Sequence, residues 1–218
     1  MLSYLDRILF SDRCEVIEIE PSQRYVYPIF KNGSSNLFLA AKANGWRIKL
    51  NEQIRHLTDI DIVIRNPEER FISGVNTYVQ LTVESNPELD PATVLWFAKN
   101  YLFLNKHYCP QFHWILHLAR YTNDDVRLNF ISMDDIKSIT SIYQPLNIAP
   151  VTLDTQQQLT NLKNNEMYQR IDKVIFECIG SSMTFKQLIQ HIQMSDPAAY
   201  KFVIDHSQKI LNPTYVLP

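Results

Sequence analysis

The sequence predicts an α/β fold in three layers, a parallel sheet flanked by helices, followed by a helical C-terminal region. Three observations predict it. Apolar, β-branched runs such as IDIVIRN (60–66) alternate with helix-period segments between residues 24 and 150. Those runs are apolar along their length rather than at every second position, as strands buried on both faces require. From about 153 onward strand signals stop and helix-period segments succeed one another. The whole chain, 1–218, reads as a single domain, with 24–150 as the α/β core and 151–218 as a helical extension.

The elements follow in order. RYVYPIF (24–30) is an apolar strand that gives way to a polar loop. SNLFLAAKAN (35–44) is a helix closed by Gly45 at its C-terminal cap. WRIKL (46–50) is a short alternating strand and IDIVIRN (60–66) a buried one. PEERFISGVNTYVQLTVES (67–85) starts a helix with Pro67 in its first position and Glu68 and Glu69 against the positive end of the dipole. PATVLWFAKNYLFLN (91–105) repeats that form behind Asp90 as N-cap. CPQFHWILHLARY (109–121) is helical, VRLNFIS (126–132) a strand, and MDDIKSITSIYQ (133–144) a helix ended by Pro145. Three helical segments complete the chain, at 155–180, 184–194 and 196–211.

Composition removes several function classes. The net charge of −2 provides no global basic field for nucleic acid. No stretch of about 18 apolar residues occurs, and the first twenty residues carry charges where an export signal has an apolar core. Cys14, Cys109 and Cys178 are odd in number and far apart, the pattern of reduced thiols. The expectation is a cytoplasmic protein without a membrane span.

Two stretches carry chemistry. KNGSSN (31–36) lies between a strand and a helix, where unpaired N–H groups and the positive helix end face a crevice. There Gly33 permits close backbone approach to an anion, Ser34 and Ser35 offer hydroxyl and N–H donors, and Lys31 offers charge. A plain surface turn with a serine N-cap fits this segment equally well. A Walker A loop does not, because GxxxxGK[ST] is absent. In DIVIRNPEERFISG (61–74), Arg65 ends a buried strand, so it emerges at the same sheet edge, and Ser73 follows in the second turn of the next helix. An Arg and a Ser so placed can converge on a second phosphate; a capped turn with a solvated acidic face is the plainer alternative.

Taken together, the two stretches resemble the cofactor signatures of the sulfotransferase family. In that family a K-x-G-[ST]-[ST] loop holds the 5′-phosphosulfate of 3′-phosphoadenosine 5′-phosphosulfate (PAPS), and R-[ND]-P with a later Ser holds the 3′-phosphate. Here the first motif is Lys31, Asn32, Gly33, Ser34, Ser35, and the second runs from Arg65, Asn66, Pro67 through Arg70 and Phe71 to Ser73. The resemblance covers 24–75 and extends weakly to KHYCPQ (106–111) and VRLNFISMDDI (126–136), which look like carbohydrate-type members. It implies a P-loop-like sheet and PAPS as donor substrate. Two positions depart from it. Asn36 stands where many members carry a tryptophan that stacks on adenine, and Leu39 stands where some carry a catalytic glutamate.

The chemistry implied is in-line sulfuryl transfer to a hydroxyl, without a metal. Lys31 would meet charge on the bridging oxygen, Asn32 to Asn36 would hold the 5′-phosphate, and Arg65 and Ser73 the 3′-phosphate. A base must take the acceptor's proton. His107, in a His-x-x-Pro-Gln pattern like that of carbohydrate-type members, and His56, shortly before the Arg65 strand, are the candidates. His113 and His117, four residues apart, read as packing residues more readily than as half a metal site, and His191 and His206 as surface residues. Trp46, Trp96 and Trp114 offer stacking faces but are as readily core. The resemblance implies a glycan or small metabolite as acceptor. Two alternatives are a catalytically silent binding protein that keeps the fold, and a P-loop nucleotide kinase, which the missing GK[ST] disfavours.

Overall fold

The computed structural model describes residues 13–20, 22–94, 106–136, 166–202 and 205. Its centre is a six-stranded mixed sheet: β1 (Glu15–Ile19), β2 (Arg24–Tyr27), β3 (Arg47–Leu50), β4 (Asp59–Ile64), β5 (Arg127–Ser132) and β6 (Ser182–Thr184), in the order β3-β1-β2-β4-β5-β6. β2, β4 and β5 are mutually parallel, with Tyr27 opposite Ile62 and Ile62 opposite Phe130. The outer strands run antiparallel: β1 to both β2 and β3, and β6 to β5. The expected parallel sheet is therefore confined to its centre. β1 and β2 are joined too closely for a crossover helix, so they form a hairpin, with Gln23 at φ 53° in the turn.

α1 (Ser34–Asn44) follows β2, and α2 (Pro67–Ser85) follows β4. α3 (Gln111–Ala119) precedes β5, and α4 (Glu166–Glu177) and α5 (Phe185–Ser195) flank β6. β4 shows how the faces divide. Ile60, Ile62 and Ile64 join a core with Phe112, Ile115 and Leu118 of α3, Ile171 and Ile175 of α4, and Leu188 and Ile192 of α5. Val63, pointing to the other face, packs with Leu37 and Ala41 of α1. Alternation along a strand sends neighbours to opposite faces, so the all-apolar run is explained by helices on both.

Local signals placed most boundaries. α1 ends at Gly45, φ 68°, whose N–H reaches Ala41 O. α2 begins with Pro67 behind Asn66, whose side chain accepts from the N–H groups of Glu68 and Glu69 at 3.0 and 3.2 Å. β2 stops at Tyr27, short of the expected 30, because Pro28 has no N–H for the ladder. The expectation that strands end before 153 is overturned by β6. Three residues are too few to show a period, and Thr184 also caps α5 by accepting from Gln187 N at 3.3 Å. Residues 133–135 form a 3-10 turn where the helix of 133–144 was expected to start. Beyond 136 that helix, the helix of 91–105 beyond 94, the first half of 155–180, Trp96 and His206 lie outside the described residues. Among the described residues no helix is long and apolar enough to cross a membrane.

Candidate anion-binding site

Because β2 and β4 are parallel neighbours, the loops at their C-terminal ends lie side by side. Arg65 donates through Nη1 to Lys31 O at 3.2 Å, which joins the two sequence motifs directly. Gly33 N-caps α1 at φ 80°, a conformation that favours glycine, and a Cβ there would meet Ile136 Cδ1 at 2.6 Å. Those two constraints explain the glycine whatever the loop binds. No side chain caps α1, and its first turn holds no acidic residue, so neither a side-chain acceptor nor a carboxylate of its own first turn offsets the positive end of its dipole. α2 is different: Asn66 satisfies its first N–H groups.

Lys31 is held in the left-handed region, φ 70°, a cost of about 1–2 kcal/mol for a non-glycine residue. Its ammonium donates to Thr77 Oγ1, and Thr77 in turn donates to Ser73 O at 3.0 Å. Burial, then the charges of Arg65 and Arg70, lower the Lys31 pKa to about 8. His107 stands beside it. Burial, followed by the charges of Lys31, Lys106 and Arg70, lowers its pKa to about 4, so its imidazole is neutral at pH 7. The backbone at His107 reaches α2 because Gly74 has no side chain; a Cβ there would lie 2.2 Å from His107 O. Lys106 places its ammonium 4.8 Å from the centre of the Phe30 ring, and Trp114 stacks against Phe30 at 5.0 Å.

Behind these groups lies a buried polar frame that the sequence left unassigned. Arg70, 1% exposed, donates through Nε to Phe30 O at 3.1 Å and through Nη1 to Cys109 O. It thereby ties the residue before Lys31 to the turn that carries His107. Gln111, fully buried, takes Asn32 Nδ2 at 2.6 Å and Arg65 N at 3.0 Å on one oxygen, and donates to Arg65 O at 3.0 Å. Asp172 of α4 caps α3 from outside, accepting from Gln111 N at 2.8 Å and Phe112 N at 3.1 Å. Burial raises the Asp172 pKa to about 6, against the charge of Arg70.

The structure thus gathers Lys31, Arg65 and His107, with Ser73 one helical turn from Thr77. Ser34 is buried and Ser35 exposed on the first turn of α1. Asn36 is buried with Oδ1 unpaired. Asn32 has another use than the one expected: its amide bonds Val63 O at 2.7 Å and Gln111, and its N–H bonds Ile29 O at 3.1 Å, leaving no donor for a ligand. His56 is not brought to the site. It is exposed before the N-terminal end of β4, while Arg65 follows the C-terminal end, and six residues of strand span about 20 Å. His113 and His117 are buried on α3, the latter against Tyr121 at 5.3 Å, and His191 is exposed on α5. Among the described residues no cluster of three or more His, Cys, Asp or Glu could hold a metal.

No family model, curated protein or solved structure matches this chain.

Proposed function

We propose that the chain is a PAPS-dependent sulfotransferase acting on a hydroxyl acceptor of carbohydrate type, on a three-layer, P-loop-like fold, in the cytoplasm. The observation that carries this reading is the meeting of the uncapped α1 N-terminus with Lys31 and Arg65 at adjacent parallel strand ends. Among the described residues, the charges of Lys31, Arg65, Lys106 and, behind them, buried Arg70 are offset by Glu69, 3.5 Å from Arg65, and buried Asp172. Such a concentration of positive charge draws a polyanion.

The α1 N-terminus with Ser34 and Ser35 binds the 5′-phosphate, and Arg65 with Ser73 the 3′-phosphate. The acceptor oxygen attacks sulfur in line; the new O–S bond forms as the bond from sulfur to the bridging oxygen breaks. Lys31 leaves Thr77 to meet charge growing on that oxygen. The acceptor proton passes to the neutral His107 imidazole, whose basicity rises once the anionic donor offsets the neighbouring cations. Adenine is held by residues other than Asn36, which has no stacking face to offer it.

The test is transfer of label from sulfur-labelled PAPS to a panel of sugar hydroxyls. Acceptor-dependent release of 3′-phosphoadenosine 5′-phosphate (PAP) is expected. Tight PAP binding with no transfer to any acceptor would favour a silent binding protein, and preference for ATP with magnesium would contradict both.

A further inference from the structure

We propose that Gln111 is the positioning residue that fixes the separation of the two anion-binding loops, and so sets selectivity for a nucleotide phosphorylated at both the 3′ and 5′ positions. The proposal rests on the reading above for the identity of the ligand. It rests on the hydrogen bonds of one side chain for the mechanism.

Gln111 is fully buried and both atoms of its amide are engaged. One oxygen receives the side-chain amide of Asn32, in the first loop, and the backbone N–H of Arg65, in the second. Its nitrogen returns a bond to Arg65 O. Arg65 therefore has both its N–H and its carbonyl fixed by the side chain that also holds Asn32. Asn32 itself is anchored to β4 at Val63 O, so the first loop cannot slide along the sheet edge without breaking this set. The base of Gln111 is immobile too, because Asp172 holds its N–H at the start of α3. Gln111 is fully buried and the Asn32 amide has both its hydrogens engaged, so Gln111 acts through the loops and not on the substrate.

The consequence is specific. The 3′ and 5′ phosphates of one nucleotide have a short, nearly fixed span. A site that presents two anion-binding loops at that span gains from both phosphates at once, whereas a site with loose loops must order them on binding. A nucleotide with one phosphate uses one loop and gains little from the link.

The test compares PAP with adenosine 5′-phosphate by calorimetric titration. Gln111→Met keeps the bulk of the side chain and removes its three bonds. It is expected to lower PAP affinity at least tenfold and that of adenosine 5′-phosphate less than threefold. In an Arg65→Ala background the same change should leave the ratio of the two affinities where Arg65→Ala alone put it, because the second loop then has no guanidinium to position. Asn32→Ala removes the arm to the first loop together with its anchor at Val63 O while keeping both bonds to Arg65, and a fall in the ratio is expected there too. A folded Gln111→Met protein that keeps the wild-type ratio would overturn the proposal and leave the sulfotransferase reading intact. A wild-type protein that does not distinguish the two nucleotides would overturn both. Failure of both variants to fold would make the link a requirement of the fold and overturn it as a device of selectivity.

Discussion

Two regions of this molecule are rich in charge, and they are organised in opposite ways. At the β3-β1-β2 side of the sheet each cation faces a carboxylate. Arg24 holds Asp61 through two contacts of 2.8 and 2.6 Å, and Arg47 and Lys49 hold Glu18 at 3.0 and 3.3 Å. Asn129 adds a third bond to Asp61 at 3.1 Å, and Arg47 reaches Glu20 at 2.9 Å. At the C-terminal ends of β2 and β4, by contrast, Lys31 meets a hydroxyl, Arg70 two backbone carbonyls and Lys106 an aromatic ring. Matched charges lock strands together. Cations that meet no carboxylate among the described residues, as Lys31, Arg70 and Lys106 do here, destabilise the protein that holds them unless an anion arrives, and that difference makes the second region the candidate site.

Removing groups from the two regions should therefore have different consequences. The largest effect is expected at His107: His107→Ala should lower turnover about 10²–10⁴-fold while leaving PAP affinity nearly unchanged. His56→Ala is the control, since its exposed position away from the strand ends predicts no loss. Lys31→Met should lower turnover about 10²–10³-fold, with a smaller loss of PAP affinity, because the charge it meets grows in the transition state. A normal kcat with a raised KM for PAPS would reduce Lys31 to an anchor.

On the matched side, Asp61→Ala should lower stability by about 1–3 kcal/mol, through the bonds lost to Arg24 and Asn129. Its melting temperature should fall by several degrees. Lys31→Met should do the reverse in the unliganded protein. The Lys31 pKa is lowered from 10.5 to about 8, so the folded state disfavours its proton. Lys31's contribution to stability is present above pH 10.5 and is lost as pH falls through 8. Removing the charge should raise the melting temperature at pH 7 and leave it unchanged well above pH 10. The same shift predicts the smallest effect, a decline in PAP affinity as pH rises through about 8, which Lys31→Met should abolish.

Much of this organisation was legible in the sequence, and the limits were physical. Gly45 and the Asn66-Pro67 pair act on neighbouring residues, so their helix ends could be placed. Lys31 and Arg65 could be paired because adjacent parallel strands put their loops together. β1 escaped notice because Glu18 lies in it, and its burial is offset by Arg47 and Lys49 on another strand. Arg70, Gln111 and Asp172 make contacts 39 to 79 residues away, which no local pattern encodes. His56 misled for the opposite reason: nine residues from Arg65 in the chain, it is separated from it by the length of β4.

The most direct test of the central claim, that the two loops form one site for a nucleotide with two separated phosphates, is a calorimetric titration of PAP and adenosine 5′-phosphate into the wild type and Arg65→Ala. Arg65→Ala should weaken PAP by about 1.5–3 kcal/mol, the scale of a hydrogen bond to a charged group, and leave adenosine 5′-phosphate unaffected. Equal losses for the two nucleotides, or none for either, would contradict it.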